Sequence, residues 1–333
     1  MEENTPQAAE QQVEVSEPQT GKNKERLAIT FLFFVLFLFI VGNPFHKKIV
    51  PEEGKGIVAA IQNPFRQIEV EAKAVYVYDV NTGTVLFSKN AEAQLPIASL
   101  TKLMTALVAA EEAPDYTAVQ ITPASLIEEG DSGLVLGERW RLRDLIRFML
   151  LVSSNDGASA VASVIGARDV DGTETTEDDT TMERLYFIQK MNTKSKELKL
   201  DQTYFLNETG LDRGESSPGS VGSAKDMAIL FSYILKNEPA LIELTKNDTA
   251  EMVSLDDKKH LVKNTNPVVN DIPGLLASKT GFTDLAGGNL VIAFDAGFAK
   301  PVVIAILGSS EKGRFTDAQK LVWTSLQYFH TLP

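Results

Sequence analysis

Apolar and polar positions change their spacing several times along this chain. Residues 1–21 are acidic and rich in Gln, Pro and Glu, with no apolar period, a composition that buries too little surface to order itself. A continuous apolar run follows from Leu27 to Phe45. It is about 19 residues, or about 28 Å as a helix, close to the hydrocarbon thickness of a bilayer. Alternation sets in at "AVYVYDVNTGTVLFSKNA", where the Asn81-Thr82-Gly83 turn between alternating runs predicts a β-hairpin. The period then becomes helical. One helix is expected from after Pro96 to about Glu112, and another over 137–152, where Trp140, Leu142, Leu145, Ile146, Met149 and Leu150 share a face. "ASAVASVIGA", "MERLYFIQKMNTKSKELKL" and "SAKDMAILFSYILKN" continue the helical block. In the last third, "GLLASKTGF", "GNLVIAFDAG" and "KPVVIAILGS" are short apolar runs between Gly- and Pro-containing turns, the pattern of an antiparallel meander. A closing amphipathic helix places Phe315, Ala318, Leu321, Val322 and Leu326 on one side.

Strands therefore come first and last around helices. The expected fold is α/β of the α+β type: an antiparallel sheet from both chain ends, flanked by helices, with an inserted all-helical region. The organisation reads as a disordered tail (1–26), a transmembrane signal anchor (27–45), a juxtamembrane linker (46–70) and a folded domain (71–333). "EGKGIVAAIQNPF" within the linker is expected to form a short helix ending near Pro64. "VGNPFHKK" carries no small-residue cleavage site, so the anchor is expected to stay. Lys22, Lys24 and Arg26 before the apolar run balance Lys47, Lys48 and Lys55 after it, so charge leaves its orientation open. The Thr-rich acidic loop 169–181 has little core potential and is expected to be solvated.

Composition removes several function classes. A net charge of −13 disfavours nucleic acid as a partner, and zero cysteines exclude disulfides and thiolate chemistry. The three histidines, at 46, 260 and 330, are scattered; only His260 could join a serine triad, and no Gly-x-Ser-x-Gly elbow accompanies it.

Three short motifs carry candidate chemistry. Ser99 and Lys102 in "PIASLTK" lie one turn apart, which places the amine beside the hydroxyl at a helix start whose dipole favours developing negative charge. A capping serine with a snorkelling lysine would look the same. Ser153 and Asn155 fall at a break between two apolar helices, where Asn155 or Asp156 could equally cap the second helix. Lys279, Thr280 and Gly281 stand at the end of an apolar strand: a cation, a hydroxyl and a bare backbone suited to an extended peptide that ends in a carboxylate. Two further partial copies, Ser309 to Lys312 and Ser88-Lys89-Asn90, are assigned to a polar loop and a strand end.

The order Ser-x-x-Lys, Ser-x-Asn, Lys-Thr-Gly is that of penicillin-binding proteins and serine β-lactamases. With "LPIASLTKLMTALVAAE", "LLVSSNDGASAVA", "MNTKSKELKLDQTYFLNETGL", "SAKDMAIL" and "KTGFTDLAGGNL", residues 72–325 resemble the D-alanyl-D-alanine carboxypeptidases, the low-molecular-mass penicillin-binding proteins. The resemblance implies that Ser99 attacks the carbonyl between two terminal D-alanines. Lys102 would serve as base, made neutral by burial and by the charge of Lys279. The backbone N–H groups of Ser99 and Phe282 would form the oxyanion hole. Ser153 would relay a proton to the leaving D-alanine, and Asn155 would hold Lys102 and the substrate amide. Lys279 and Thr280 would bind the terminal carboxylate. No metal or organic cofactor is implied. The implied partners are peptidoglycan stem peptides ending in D-Ala-D-Ala, β-lactams as covalent inhibitors and a membrane at the N-terminus. Its implied place is the cell membrane, with the domain on the extracytoplasmic side. The family pattern also marks 169–181 as an insertion. Three alternatives share these residues: a DD-endopeptidase on cross-links, a class A-like β-lactamase using Glu208 to activate water, and a silent cell-wall-binding scaffold.

Overall fold

The computed structural model describes residues 63–169 and 177–331. The expected tail and span, the linker up to residue 62 and the segment 170–176 lie outside the described residues. Among the described residues no helix is long and apolar enough to cross a membrane.

The folded chain begins earlier than the pattern suggests. Asn63 Oδ1 accepts from the Phe65 N–H at 3.0 Å and opens a 3₁₀ turn, Pro64–Gln67. Proline suits the first position of such a turn because it has no N–H to satisfy. Phe65 is buried, with its ring 5.7 Å from Phe87 and 6.1 Å from Tyr328. Residues 63–70 thus belong to the domain and not to a linker, and Pro64 starts a turn where a helix was expected to end.

β1 (Ala74–Asp79) and β2 (Val85–Lys89) form the expected hairpin, and β3 (Leu95–Pro96) leads into α1 (Thr101–Glu112). β4 (Ala118–Gln120) pairs with β5 (Arg139–Arg141), so α2 (Leu142–Val152) starts later than its apolar spacing suggests. Backbone pairing of Trp140 with Val119 takes those residues out of the helix. Ser153 caps α2 in the left-handed conformation (φ 61°), and α3 (Asn155–Gly166) follows at once. Its cap is Ser154, whose hydroxyl accepts from the Gly157 N–H at 2.9 Å. That leaves the side chains of Asn155 and Ser153 free of capping, Ser153 closing α2 through its backbone alone. α4 (Glu177–Glu197) takes the last five residues of the expected acidic loop. β6 (Tyr204–Phe205), β7 (Ser220–Gly222), α5 (Ala224–Asn237) and the short α6 (Pro239–Ile242) come next. A hairpin of β8 (Thr249–Val253) and β9 (Lys259–Lys263) interrupts the helical block. β10 (Leu275–Thr283), β11 (Gly287–Asp295), β12 (Pro301–Ser309) and α7 (Gly313–Thr331) complete the chain.

The main sheet is antiparallel, in the order β10-β11-β12-β1-β2. Its strands read as unbroken apolar runs because both faces are covered. Val75, Val77, Ile292, Phe294, Ile304 and Ile306 pack with Ala318, Leu321 and Val322 of α7. Ala74, Val291, Ala293, Val303 and Ala305 on the other face pack with the α1–α5 block. β10 lies at the sheet edge, and Lys279 and Thr280 occupy its middle, not its end.

One contact locks the helical block onto the start of α1. Gly210 has φ +80°, and a Cβ there would lie 2.0 Å from the Ala98 carbonyl oxygen. Gly210→Ala is expected to cost about 2–4 kcal/mol, because both the dihedral and the space exclude a side chain. Urea denaturation measures it; a loss under about 1 kcal/mol means the loop relaxes freely.

Candidate active site

The turn that carries Ser99 is held from two sides. β3 pairs with β7, and the Ile97 N–H donates to Ser220 O at 3.3 Å. From the main sheet, Asn289 Nδ2 donates to Pro96 O at 3.0 Å, while its Oδ1 accepts from the Gly308 N–H at 2.8 Å. Ala98 is forced to φ +47°, and residues 98–100 form a 3₁₀ turn ahead of α1. Ser99 therefore precedes the α-helix proper, where the spacing places it in the first turn. Thr101 Oγ1 donates to Ala98 O at 2.7 Å and bonds the Ser220 hydroxyl, which tightens the same turn. Non-glycine residues with positive φ are uncommon and cost energy, so this conformation exists because its neighbours impose it.

Lys102 is 0% exposed. Its Nζ donates to Ser99 Oγ at 3.1 Å, to Asn155 Oδ1 at 2.6 Å and to Thr209 O at 2.6 Å. Burial pulls its pKa down to about 7, against the opposing pull of Glu208 and Glu128. Its full burial rules out the snorkelling alternative. A half-neutral amine in contact with a serine hydroxyl can accept that hydroxyl's proton.

Lys279 is the second buried amine of the site. Its Nζ donates to Ser153 Oγ at 2.8 Å and to Thr280 O at 2.7 Å. Burial first, then the charges of Lys102 and Arg314, hold its pKa well below the usual lysine value. Each lysine is thus depressed mainly by loss of water, and the charge of Lys102 adds to this at Lys279. The lowering of Lys102 by Lys279 expected from the sequence is not among the causes at Lys102, where burial acts against Glu208 and Glu128. Thr280 Oγ1 bonds Thr265 Oγ1 at 2.6 Å. At Gly281 a Cβ would meet Ile97 O at 3.0 Å and Ser99 N at 3.2 Å, so glycine lets β10 lie this close to the serine turn, and a side chain there would push the two apart by a few tenths of an ångström. Arg314 Nη1 donates to Gly281 O at 2.6 Å. Across a trans peptide the next N–H, that of Phe282, points to the opposite side of the strand. Phe282 itself is 44% exposed at the mouth of the site. A cavity of about 300 Å³ adjoins Ser153 and Asn155, with Asp131, Ser132, Leu261 and Lys263 in its walls.

All eight predicted site residues, Ser99, Lys102, Ser153, Asn155, Lys279, Thr280, Gly281 and Phe282, fall around this cleft. Thr209, Thr265 and Arg314 were not foreseen: the first acts through its carbonyl, the second comes from a loop and the third from the first turn of α7, neither within a motif. Glu208 is fully buried and its carboxylate faces Arg184, 2.6 Å away, so it is not placed as a water-activating base. The spare motif copies are structural. Ser309 is buried and donates to Asp317 Oδ2 at 2.9 Å, rather than being solvated, and Lys89 Nζ donates to Val70 O at 3.1 Å. His260 bonds Glu138 Oε1 at 2.7 Å beside Trp140 and Phe148, away from the serine. Among the described residues no group of acidic or histidine side chains could hold a metal.

Comparison with known proteins places this geometry. The D-alanyl-D-alanine carboxypeptidase family model matches residues 59–311. D-alanyl-D-alanine carboxypeptidase DacF of Bacillus subtilis is 28% identical over 316 residues, 93% of this chain and 73% of that protein. A D-alanyl-D-alanine endopeptidase of Pseudomonas aeruginosa is 27% identical over 263 residues, 77% of each chain. Among solved structures, a Mycobacterium tuberculosis D-alanyl-D-alanine carboxypeptidase superposes with a TM-score of 0.66 at 25% identity, covering 80% of this chain and 93% of its own. Penicillin-binding protein D2 of Listeria monocytogenes, solved in its ampicillin-bound form, gives 0.63 at 29% identity over 77% of this chain and 98% of its own. The antiparallel sheet and the helical insert agree with these matches, and the chain belongs to the D-alanyl-D-alanine carboxypeptidase family of serine-type peptidases.

Proposed function

We propose that this chain removes the terminal D-alanine from peptidoglycan stem peptides through an acyl-serine intermediate. The observation that carries the reading is the buried Lys102 amine, 3.1 Å from Ser99 Oγ and with its pKa lowered to about 7. Lys102 takes the hydroxyl proton as Ser99 Oγ attacks the carbonyl between the last two residues. The backbone N–H groups of Ser99 and Phe282 receive the oxyanion, since Gly281 brings the two stretches of chain together. Ser153, bonded to Lys279 at 2.8 Å, relays to the departing amine the proton that Lys102 took from Ser99, which leaves Lys102 neutral again. The terminal carboxylate lies against Lys279 and Thr280 and acts as the counter-ion that restores the lysine's proton. Release of D-alanine leaves the peptide esterified to Ser99, and water then cleaves the ester. The substrate lies outside the cytoplasm, so Leu27–Phe45 anchors the chain in the membrane with its N-terminus inside and the domain outside. Residues 1–26 and 46–62 are the tail and tether of that arrangement.

A second reading, cleavage of cross-linked stems, uses the same residues, and the Pseudomonas aeruginosa relative named an endopeptidase favours testing it. Incubation of the full-length chain with monomeric pentapeptide and with cross-linked dimer separates the two. D-alanine release from the monomer is expected. Turnover of the dimer alone would assign the endopeptidase, and no release from either would remove both readings. In intact cells external protease is expected to degrade the domain; protection there would reverse the orientation.

A further inference from the structure

Two of the acceptors that hold the Lys102 amine are set by loops, one directly and one through a side chain at the start of α3, and one guanidinium ties those loops together. From one loop, Thr209 O accepts from Lys102 Nζ at 2.6 Å, and the preceding Glu208 O accepts from Thr105 Oγ1 at 2.7 Å, one turn along α1. The other loop acts through Asn155. Asn155 Oδ1 accepts from Lys102 Nζ at 2.6 Å, and its Nδ2 donates to Glu129 O at 2.6 Å. Next in the chain to these carbonyls stand Glu208 and Glu128. Arg184, projecting from α4, places one nitrogen 2.6 Å from Glu208 Oε1 and 2.7 Å from Glu128 Oε1. Glu208 is 0% exposed, so without that cation its carboxylate would be buried with no counter-charge.

We propose that Arg184 is a positioning residue for the base: by pairing with Glu208 and Glu128 at once, it fixes the Thr209 carbonyl and the Asn155 side chain relative to each other, and so seats the Lys102 amine opposite Ser99. The inference rests on the acyl-serine reading above. It goes beyond the three motifs, since residues 128, 184 and 208 lie in separate segments and touch neither the nucleophile nor the substrate cleft's Lys-Thr-Gly strand. Electrostatics reinforces the geometry. The charged groups around the Lys102 amine are Glu208 and Glu128, bridged by Arg184, on one side and Lys279 of β10 on the other. The two carboxylates favour the lysine's proton, and Arg184 offsets them.

The test follows adduct formation by rapid quench and intact mass, with the full-length chain and benzylpenicillin over a range of concentration and pH. For Arg184→Met the limiting acylation rate is expected to fall about 10- to 100-fold while the pre-acylation dissociation constant stays within about threefold, because the base moves and the cleft does not. For Glu208→Gln, which keeps shape and removes the charge that favours the lysine's proton, the acid limb of the rate profile is expected to move to lower pH. A limiting rate within twofold of the parent for Arg184→Met, or a fall lying wholly in the dissociation constant, overturns the proposal. Should Arg184→Met not fold, Glu208→Gln decides alone: an unmoved acid limb overturns it. Failure of the parent chain itself to acylate sinks the acyl-serine reading instead, so the two failures are distinguishable.

Discussion

Lys102→Met is expected to slow acylation of Ser99 by about 10²- to 10⁴-fold, the range that a positioned general base supplies. Methionine matches the lysine stem in volume and removes only the amine, which is why the fold is expected to persist. The same amine sets the pH profile of the parent chain. Only neutral Lys102 can take the serine proton, so the acylation rate should climb as pH rises through about 7 and level off above it. Below that midpoint it should fall about tenfold per pH unit. Stability should change in the same direction. A lysine has its ordinary value of 10.5 when unfolded and about 7 here, so between those values the unfolded chain binds a proton that the folded chain lacks. Stability gained from this group thus rises with pH across that window and is lost below it. Urea denaturation of the parent and of Lys102→Met at pH 7.5 and pH 9.5 isolates this slope as their difference. A variant that acylates at the parental rate, or a parental profile flat from pH 5 to pH 9, would remove Lys102 from the role of base.

Ser99→Ala is expected to abolish the covalent adduct with penicillin and the release of D-alanine, with little change in stability. Ser99 is only half-buried, and its hydroxyl is one of three acceptors around Lys102 Nζ. Asn155 and Thr209 still satisfy the amine once it is gone, so no buried donor is orphaned. The melting temperature should therefore stay within about 2 °C of the parent, as for a mild surface change. Intact mass after penicillin addition gives the answer directly. An adduct that survives the substitution would move the nucleophile elsewhere, with Ser153 the next hydroxyl to examine. Together the two variants separate loss of the nucleophile from loss of its activation: Ser99→Ala leaves no adduct at any time, whereas Lys102→Met leaves a slow one.

The alternating and helical spacings determined most of the architecture by themselves. "AVYVYDV" and the three late apolar runs became four adjacent strands of the main sheet, and Ala318, Leu321 and Val322 became part of the buried face of α7. Such elements are legible because their burial repeats along the chain. The β8–β9 hairpin was not, because Met252 and Val262 are its only well-buried positions and the rest of each strand is largely solvent-exposed. The start of α2 was misplaced for a related reason: Trp140 fits the helical stripe, yet pairing with β4 across the fold claims its backbone. The three motifs likewise identified which side chains meet, through residue types and order alone. Tertiary structure decided what those side chains are. Lys102 loses proton affinity because the packing of α1 against the 207–211 segment and α3 excludes water from its amine. Ser153 is available to Lys279 because Ser154 does the capping. The Glu128–Arg184–Glu208 bridge joins parts of the chain that share no local pattern. Spacing along a chain encodes which face is buried, whereas proton affinity depends on solvent and charge in three dimensions, and these exist only once the fold has closed.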